Sequence, residues 1–406
     1  MQLKHLVVAA LAALSLAACN SSPPTDADGF VDDPEFEQRL QEQLLDAKAG
    51  DVIEIPAGKY RLKRSLSLSG NDVTLRGEGM DKTILSFADQ TSGAEGLTVT
   101  GDDFTLEDLA IEDTKGDALK INGTKNAVIR RVRAEWTGEP SAKNGAYGLY
   151  PVQVENVLIE NSVVRGASDA GIYVGQSNNV IVRNNIAEGN VAGIEIENTS
   201  NADVYGNKTT NNSRGILVFN MPDLPVPGAK TRVHDNEVVA NNHANFAAPG
   251  SAVSSVPPGS GVIVNSNDEV EIFDNRIADN NTANVIISSY YSTGFADRGL
   301  AKAYDPYPEN IYVTGNTFSG GGTNPGKAYA GLKQAVGGSL PAVIWDGFAN
   351  PDKASTGICV DNADAQLLDA DGPNKLANPH IVKTTNCAPA SRLPKITLPS
   401  KMTTSG

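Results

Sequence analysis

The sequence has few of the residues that build metal centres or bind nucleic acid. Its 406 residues include three cysteines and four histidines, and no three of the histidine, cysteine or carboxylate side chains recur at zinc-ligand spacing. We therefore expect no transition-metal site. Basic residues are outnumbered, with 33 Lys and Arg against 48 Asp and Glu and a net charge of −15. Because neutralising phosphates needs a basic face, we predict no nucleic-acid partner.

Long hydrophobic runs are also scarce, and the one at the start, residues 6–16, is too short to span a bilayer. We interpret residues 1–18 as a secretory signal peptide. Its Leu-Ala-Ala-Cys ending resembles the lipobox of bacterial lipoproteins, which implies cleavage before Cys19 and a lipid anchor on Cys19 in the cell envelope. Asn20 favours the outer membrane of a Gram-negative bacterium. The alternative is an ordinary signal peptide with an incidental cysteine.

Residues 19–33 are small, polar and rich in proline, which predicts a flexible tether. Two cysteines remain, Cys359 and Cys387, and in an oxidising compartment we expect them to form a structural disulfide.

Three similar stretches, GIYVGQ, GIEIEN and GILVFN, begin at Gly171, Gly193 and Gly215, each 22 residues after the last. A second series of short apolar segments ends in asparagine. Its final residues are Asn161, Asn184, Asn207, Asn236, Asn275 and Asn316. Short apolar alternation bounded by Asn and Gly predicts strands, and a period near 22 predicts units that bury their apolar faces against each other. We therefore predict an all-β fold, a single-stranded parallel β-helix, with asparagines stacked at a bend.

The two ends of this unit differ from its repeats. Residues 34–48 carry apolar residues at helical spacing, which predicts a helix that caps the first coil. The repeat runs over residues 34–322, and residues 323–406 lose the period, which predicts an irregular C-terminal cap.

The segment AGDVIEIPAGKY, followed by VTLRGEG and TIL, resembles the entry to the pectin-lyase-like superfamily of right-handed parallel β-helices. The resemblance is closest to bacterial β-helix-repeat lipoproteins of unsettled role, and it implies a c-type-cytochrome-like partner encoded nearby. We find no Asp-Pro-His-Asp motif of the mannuronan C5-epimerases, no glycine-flanked histidine of the polygalacturonases and no arginine motif of the pectate lyases. Their catalytic residues cannot be carried over.

If Ile172 and Ile194 point inward, the residue that follows each of them points outward. These outward residues form a column on successive coils. This column comprises Lys120, Tyr150, Tyr173, Glu195, Leu217 and Ile263, and a neighbouring column holds Glu197 and Phe219. Long insertions at 134–147, 221–230, 243–260 and 290–309 flank the strand and predict a walled cleft. We expect Tyr150, Tyr173 and Phe219 to bind sugar rings there.

The candidate catalytic residues are Lys120, Glu195, Glu197, Arg214 and His243. Glu195 and Glu197 lie two residues apart on one strand, so they face the same way at about 7 Å, which suits acid–base work on a glycosidic bond or calcium binding. The alternative for this pair is a solvated sheet face. Lys120 or His243 is the candidate base, and Arg214 the candidate group that binds a uronate carboxylate.

Calcium is the one cofactor that the sequence leaves open, with an acidic segment as its candidate site. The alternative for this segment is a solvated acidic turn. That segment contributes Asp102, Asp103, Glu107, Asp108, Glu112 and Asp113.

Two functions remain open from the sequence. The first is a cleft that binds a polysaccharide and processes it as a lyase or epimerase, with glycoside hydrolysis as the second chemistry. The second is a non-catalytic envelope scaffold that docks a partner such as the c-type-cytochrome-like protein.

Overall fold

The computed structural model describes residues 24–293, 304–363, 365–383 and 392–404. They form a right-handed parallel β-helix, in which each coil contributes a strand to each of three faces. The predicted all-β, right-handed class is therefore confirmed.

The first face is a sheet of twelve strands. Its strands are Arg64–Leu68, Ser92–Val99, Leu119–Asn122, Tyr147–Val152, Ala170–Gly175, Ala192–Glu197, Arg214–Phe219, Ser260–Asn265, Ala283–Ser288, Val343–Trp345, Leu367–Asp369 and His380–Val382. All neighbours pair in parallel except the last strand, which is antiparallel.

The second and third faces together form one sheet of nineteen strands, because two long strands bend through the corner between them. These two are Thr105–Glu112 and Lys125–Glu135. The other strands of the second face are Val52–Glu54, Thr74–Arg76, Glu155–Glu160, Asn178–Arg183, Ser200–Tyr205, Ala229–His234, Asp268–Phe273, Glu309–Thr314 and Cys359–Asp361. The third face adds Gly58–Arg61, Thr83–Ser86, Val163–Arg165, Ile186–Glu188, Lys208–Thr210, Glu237–Val239, Arg276–Ala278 and Thr317–Ser319.

Stacked asparagines mark the corner between the second and third faces. The Nδ2 group of Asn185 donates to Oδ1 of Asn207, and Asn207 donates in the same way to Asn236, both at 3.0 Å. The same bond continues through Asn275 and Asn316. Each amide thus satisfies buried polar groups in neighbouring coils, as the sequence predicted for this bend.

The alignment of the first two copies was wrong by one residue. Asn161 and Asn184 adopt positive φ angles of 52° and 56°, the turn conformation that Gly206 provides at 64° in the next coil. The stacking position is that of the following residue, Asn185. Its Oδ1 accepts the backbone N–H of Ser162, on the preceding coil, at 2.9 Å. The turn and the stack are therefore made by two successive residues, and both happen to be asparagine at 184 and 185.

The repeated glycines at 171, 193 and 215 have a steric cause. A Cβ on Gly193 would lie 2.7 Å from the carbonyl oxygen of Gly215, and one on Gly215 would lie 2.6 Å from that of Gly261. A larger residue would force these coils apart, which explains glycine at 171, 193 and 215.

The N-terminal helix is present at Phe36–Asp46 and packs Leu40 and Leu44 into the apolar core. The tether at residues 19–33 stays a prediction, and within it Asp26 and Val31 contact Arg61 and Lys59 of the first coil. The ring of Phe30 lies 3.9 Å from the guanidinium carbon of Arg61. Cys19 and the predicted signal peptide lie outside the described residues.

Parallel pairing continues beyond residue 322. The strand Val343–Trp345 pairs with Ala283–Ser288, and Leu367–Asp369 pairs with Val343–Trp345 in turn. The helix Lys327–Val336 precedes Val343–Trp345 in sequence and packs on the outside of the first face. Cys359 is buried, and Cys387 lies outside the described residues, so their disulfide stays a prediction.

Residues 392–404, which we call the C-terminal strap, run back along the second face. The strap includes the short helix Ser400–Thr403. Leu398 and Met402 pack on Leu158 and Ile181, and the guanidinium of Arg130 donates to the Met402 carbonyl oxygen at 2.6 Å. In the described residues, no helix has the length and apolar character needed to cross a membrane.

Candidate functional site

The strands of the first face have the side-chain orientation that the sequence predicted. Ile172 pairs with Ile194, and both belong to the apolar core. Tyr173 pairs with Glu195, and Glu195 pairs with Leu217 on the next coil. The intervening residues thus form one outward column. Lys120 and Tyr150 extend it in the other direction, where they pair with each other.

Three tyrosines form a cluster on this column. The ring centroids of Tyr150 and Tyr173 lie 4.9 Å apart in an edge-on arrangement. Tyr147, which the sequence did not single out, lies 4.6 Å from Tyr150 and 4.5 Å from Tyr173. Tyr147 and Tyr150 keep part of their surface exposed, whereas Tyr173 is buried. We call these residues the tyrosine cluster.

Gly175 provides the space in which the Tyr173 ring lies. A Cβ added to Gly175 would be 2.4 Å from Cε1 of Tyr173. Gly175 also pairs with Glu197 on the next coil, so the ring extends across the glycine toward that carboxyl group. A hydrogen bond with Tyr173 lowers the pKa of Glu197, although burial outweighs it.

Glu195 and Glu197 do not lie on a solvated face. Glu195 is 3% exposed, and its Oε2 has no hydrogen-bond partner. Burial, reinforced by nearby Asp169 and Glu197, raises the pKa of Glu195 well above its usual value. Burial also raises the pKa of Glu197 to about 7. The two carboxyl groups are close enough to share a hydrogen bond, so a proton between them avoids two adjacent negative charges.

Two further carboxyl side chains belong to the site, those of Asp169 and Asp117. The sequence did not single them out. Burial raises the pKa of Asp169 to about 7, and the Tyr147 hydroxyl lies 3.5 Å from its Oδ2. Burial raises the pKa of Asp117 to about 6, and its Oδ1 accepts the backbone N–H of Tyr147 at 3.2 Å. Each aspartate immediately precedes an alanine near a strand of the first face, and this shared Asp-Ala pair was the available signal.

Arg214 lies beneath this group of carboxyls. It pairs with Ala192, which pairs with Ala170 on the preceding coil, and these small residues leave room for its long side chain. The side chain is fully buried, and the charges of Asp169 and Glu195 oppose the effect of burial, which lowers the pKa of Arg214 to about 10.

The Arg214 guanidinium donates from Nη2 to the carbonyl oxygen of Val256, whereas Nε and Nη1 have no hydrogen-bond partner. Arg214 therefore affects the carboxyl groups through its electrostatic field, and it is shielded from solvent. This placement contradicts its predicted contact with a substrate uronate.

The remaining predicted polar residues are separated. The Lys120 ammonium lies 5.2 Å from the centre of the Tyr150 ring and is partly exposed at the edge of the tyrosine cluster. The Nδ1 atom of His243 instead lies 2.8 Å from the carbonyl oxygen of Ala244, and its ring packs on Phe246. These contacts hold His243 within its own loop.

The second half of the outward column is covered, which the sequence did not predict. Leu217, Ile263 and Ile286 form a second apolar cluster with Leu332 of the helix Lys327–Val336. Phe219 is 7% exposed and lines a small pocket with Met221 and Val256. Among the described residues, the predicted cleft therefore keeps exposed surface over the coils of Lys120 to Glu197, although Tyr173 and Glu195 in these coils are themselves buried.

Comparison with known proteins agrees with this architecture. The model of the right-handed β-helix region matches residues 84–232 and 141–297. The chain belongs to this right-handed β-helix family. No curated protein matches the sequence significantly.

Solved structures show the same fold at low identity. DFA-IIIase from Arthrobacter chlorophenolicus is 12% identical, covering 83% of this chain and 81% of its own, with a TM-score of 0.51. The A-module of the mannuronan C-5 epimerase AlgE6 from Azotobacter vinelandii is 20% identical, covering 78% and 86%, with a TM-score of 0.49. An alginate lyase in complex with a trisaccharide is 16% identical, covering 70% and 69%, with a TM-score of 0.43. The likeness to DFA-IIIase supports the fold alone.

Arginines pair with part of the acidic segment 102–113. Arg131 contacts Asp108 at 2.6 Å, and Arg133 contacts Glu112 at 2.9 Å. Among the described residues, no three carboxylates of this segment bring ligand atoms within 4.8 Å of one another, so the structure gives no support to the calcium site considered there. A further histidine, His234, stacks between Tyr205 and Phe273 on the second face.

Proposed function

We propose that the open half of the first face binds a polysaccharide at the tyrosine cluster, and that the adjoining carboxyl groups transfer protons on the bound sugar. The observation that carries this proposal is the meeting of partly exposed tyrosine rings with carboxyls whose pKa values are raised toward neutrality. Rings provide stacking surfaces, and carboxyls provide hydrogen bonds and acid–base groups. The parallel coils extend this surface in one direction, which suits a polymer.

The charge of the site favours a neutral sugar or an amino sugar over a uronate. Asp117, Asp169 and Glu197 are partly exposed, and among the described residues Lys120 is the exposed cation beside them. A lyase or epimerase acting on a polyuronate needs a cation at the substrate carboxylate. Arg214 was the predicted cation, and it is buried beneath the carboxyls.

Hydrolysis of a glycosidic bond is the chemistry that these carboxyls support best. Burial raises the pKa of Glu197 to about 7, so near neutral pH this carboxyl can donate a proton to the leaving oxygen of a glycosidic bond. We assign Glu197 as the acid.

The test is to incubate the mature protein with neutral glycans, amino-sugar polymers, pectins and alginates, and to follow binding and product formation. We expect Glu197→Gln to retain binding and to lose about 100-fold or more of the turnover. Glu155→Gln, on the second face, is the matched control. Binding to no glycan in the panel would overturn the proposal, and an unsaturated product would replace hydrolysis with a lyase reaction.

We also propose that the mature protein is anchored by a lipid on Cys19 in the outer membrane. The support is the sequence of residues 1–19, which lie outside the described residues. Mass spectrometry of the mature N-terminus checks this, since an unmodified residue after signal cleavage would contradict it.

Docking of a c-type-cytochrome-like protein remains the alternative function. A test of docking that shortens the loop 243–260 would also disturb the candidate site, because Val256 in that loop contacts Arg214. Charged substitutions at the exposed residues Ala248 and Pro249 leave that contact in place. A stoichiometric pull-down that these substitutions abolish would favour docking.

A further inference from the structure

A group of three carboxylates lies at the corner between the first and second faces, away from the tyrosine cluster. Ligand atoms of Asp268, Asp305 and Glu309 lie within 4.8 Å of one another. Asp268 begins a strand of the second face, and Glu309 begins the strand that pairs with it on the next coil, Asp268 opposite Glu309. Asp305 comes from the loop that leads into that strand. The coil repeat thus holds two of the carboxylates one above the other.

One carboxylate oxygen of Asp268 and one of Asp305 accept backbone hydrogen bonds. Oδ1 of Asp268 accepts the backbone N–H of Glu309 at 3.0 Å, and Oδ1 of Asp305 accepts the backbone N–H of Tyr307 at 3.1 Å. These bonds orient the two carboxylates and leave Oδ2 of each for another ligand. The side chains are therefore positioned independently of any group that they bind.

Glu309 provides the independent indication of a ligand. Its side chain is 2% exposed, and Oε1 of its carboxylate has no hydrogen-bond partner. The Lys353 ammonium forms an ion pair with Oε2 and lies 3.9 Å from Oδ2 of Asp305, which leaves Oε1 without a contact of this kind. A buried carboxylate oxygen without a partner is costly, so a cation at this point would stabilise the site.

We propose that Asp268, Asp305 and Glu309 bind a calcium ion, which takes the place of the Lys353 ammonium. Three carboxylates with one ammonium leave excess negative charge, whereas a divalent ion supplies more positive charge at the same point. Carboxylate oxygens are the hard ligands that calcium prefers, and its flexible coordination tolerates ligands from a loop. The Lys353 side chain is 47% exposed, so it can move into solvent when the ion binds.

An entry path exists on the same side. Asp268 and Asp305 line a pocket of about 530 Å³ whose other wall includes Asn198, Pro225 and Tyr304. Water in this pocket can complete the coordination, as in other calcium sites with few protein ligands. Ion binding would also hold the segment around Asp305 to the strand that begins at Asp268. This proposal does not depend on the proposed function.

The test is a titration of the full mature chain with Tb³⁺, excited through nearby tyrosine, followed by displacement with Ca²⁺. We expect saturable emission that Ca²⁺ displaces. The double substitution Asp268→Asn and Asp305→Asn should weaken binding by about 100-fold or more. Asp102→Asn, in the acidic segment 102–113, is the control and should leave the affinity unchanged.

Lys353→Met provides a variant with the opposite expected effect. Removing the competing ammonium should tighten Ca²⁺ binding by about tenfold. A gain cannot arise from misfolding, so this variant keeps the proposal testable if the aspartate variants fold poorly. Absence of binding at millimolar ion, weaker binding by Lys353→Met, or loss of binding in Asp102→Asn alone would each overturn the proposal.

Discussion

The two halves of the outward column on the first face differ in their side chains and not in their backbone. Both are parallel strands in continuous register, and the change occurs across the single pair Glu195 and Leu217. On one side the column carries tyrosines and carboxyls, and Lys120 and Tyr150 keep part of their surface exposed. On the other side it carries Leu217, Ile263 and Ile286, and the helix Lys327–Val336 covers it. A repeated scaffold therefore acquires a site where the outward residues do not require an apolar cover.

The largest expected effect comes from breaking the covered half. Leu332→Asp places a carboxylate against Ile263 and Ile286, where Leu332 is 1% exposed. We expect a loss of about 4 kcal/mol in the free energy of unfolding, because apolar burial is lost and a charge is buried. Urea unfolding measures this loss. Gln334→Asp, on the exposed side of the same helix, should change it little, and an equal loss in both variants would contradict the covering role.

Arg214→Met tests the boundary between the halves. It removes the positive charge near Asp169 and Glu195, and we expect a loss of about 3 kcal/mol at pH 8. The loss should be smaller at pH 5, because the neighbouring carboxyls are then protonated and need no counter-charge. Adding Glu195→Gln should restore part of the stability at pH 8. Unfolding at both pH values checks this, and a pH-independent loss would mean that Arg214 acts by packing alone.

Gly175→Ala tests the fit of the tyrosine cluster in the open half. The added Cβ would lie 2.4 Å from Tyr173, so the ring must move away from Glu197. We expect a loss of about 1–3 kcal/mol in stability together with altered tyrosine fluorescence. Gly138→Ala is the control, because a Cβ there meets nothing within 4 Å. Similar losses in the two variants would exclude the steric explanation.

The smallest expected effect is the pH dependence that Glu197 contributes. Its pKa rises from 4.5 to about 7 on folding, so the folded state binds the proton more tightly. The resulting stabilisation is complete below about pH 4.5 and is lost as the pH rises to about 7. Glu197→Gln should lack this contribution and gain on the order of 2 kcal/mol over wild type between pH 4.5 and 8. Thermal unfolding at both values checks this, and parallel pH profiles would contradict the raised pKa.

The sequence predicted the coil and the orientation of its strands because both follow from a short repeat. Spacing of 22 residues and alternation of apolar residues determine which side chains face inward, and Ile172 and Ile194 obey that rule. The one error of alignment arose where Asn184 and Asn185 are identical neighbours with different roles. Sequence alone does not distinguish a residue that turns the chain from one that stacks.

The burial of the site could not be predicted in the same way. Arg214 is covered by Val256, which lies 42 residues beyond it in a loop without a repeat. The helix Lys327–Val336 likewise lies in a segment that lost the period. Whether an outward residue meets water depends on such distant segments, whereas whether it points outward depends only on its own strand.

The C-terminal strap links the end of the chain to its early coils. Lys401 contacts Asp103, and Arg130 donates to Met402, although these pairs are separated by more than two thirds of the sequence. Coils can stack one after another as the polypeptide is made, but the apolar patch at Leu158 and Ile181 is covered by Leu398 and Met402 of the strap. A chain without the strap would therefore expose this apolar patch on an otherwise folded β-helix, where a protease or chaperone could recognise it.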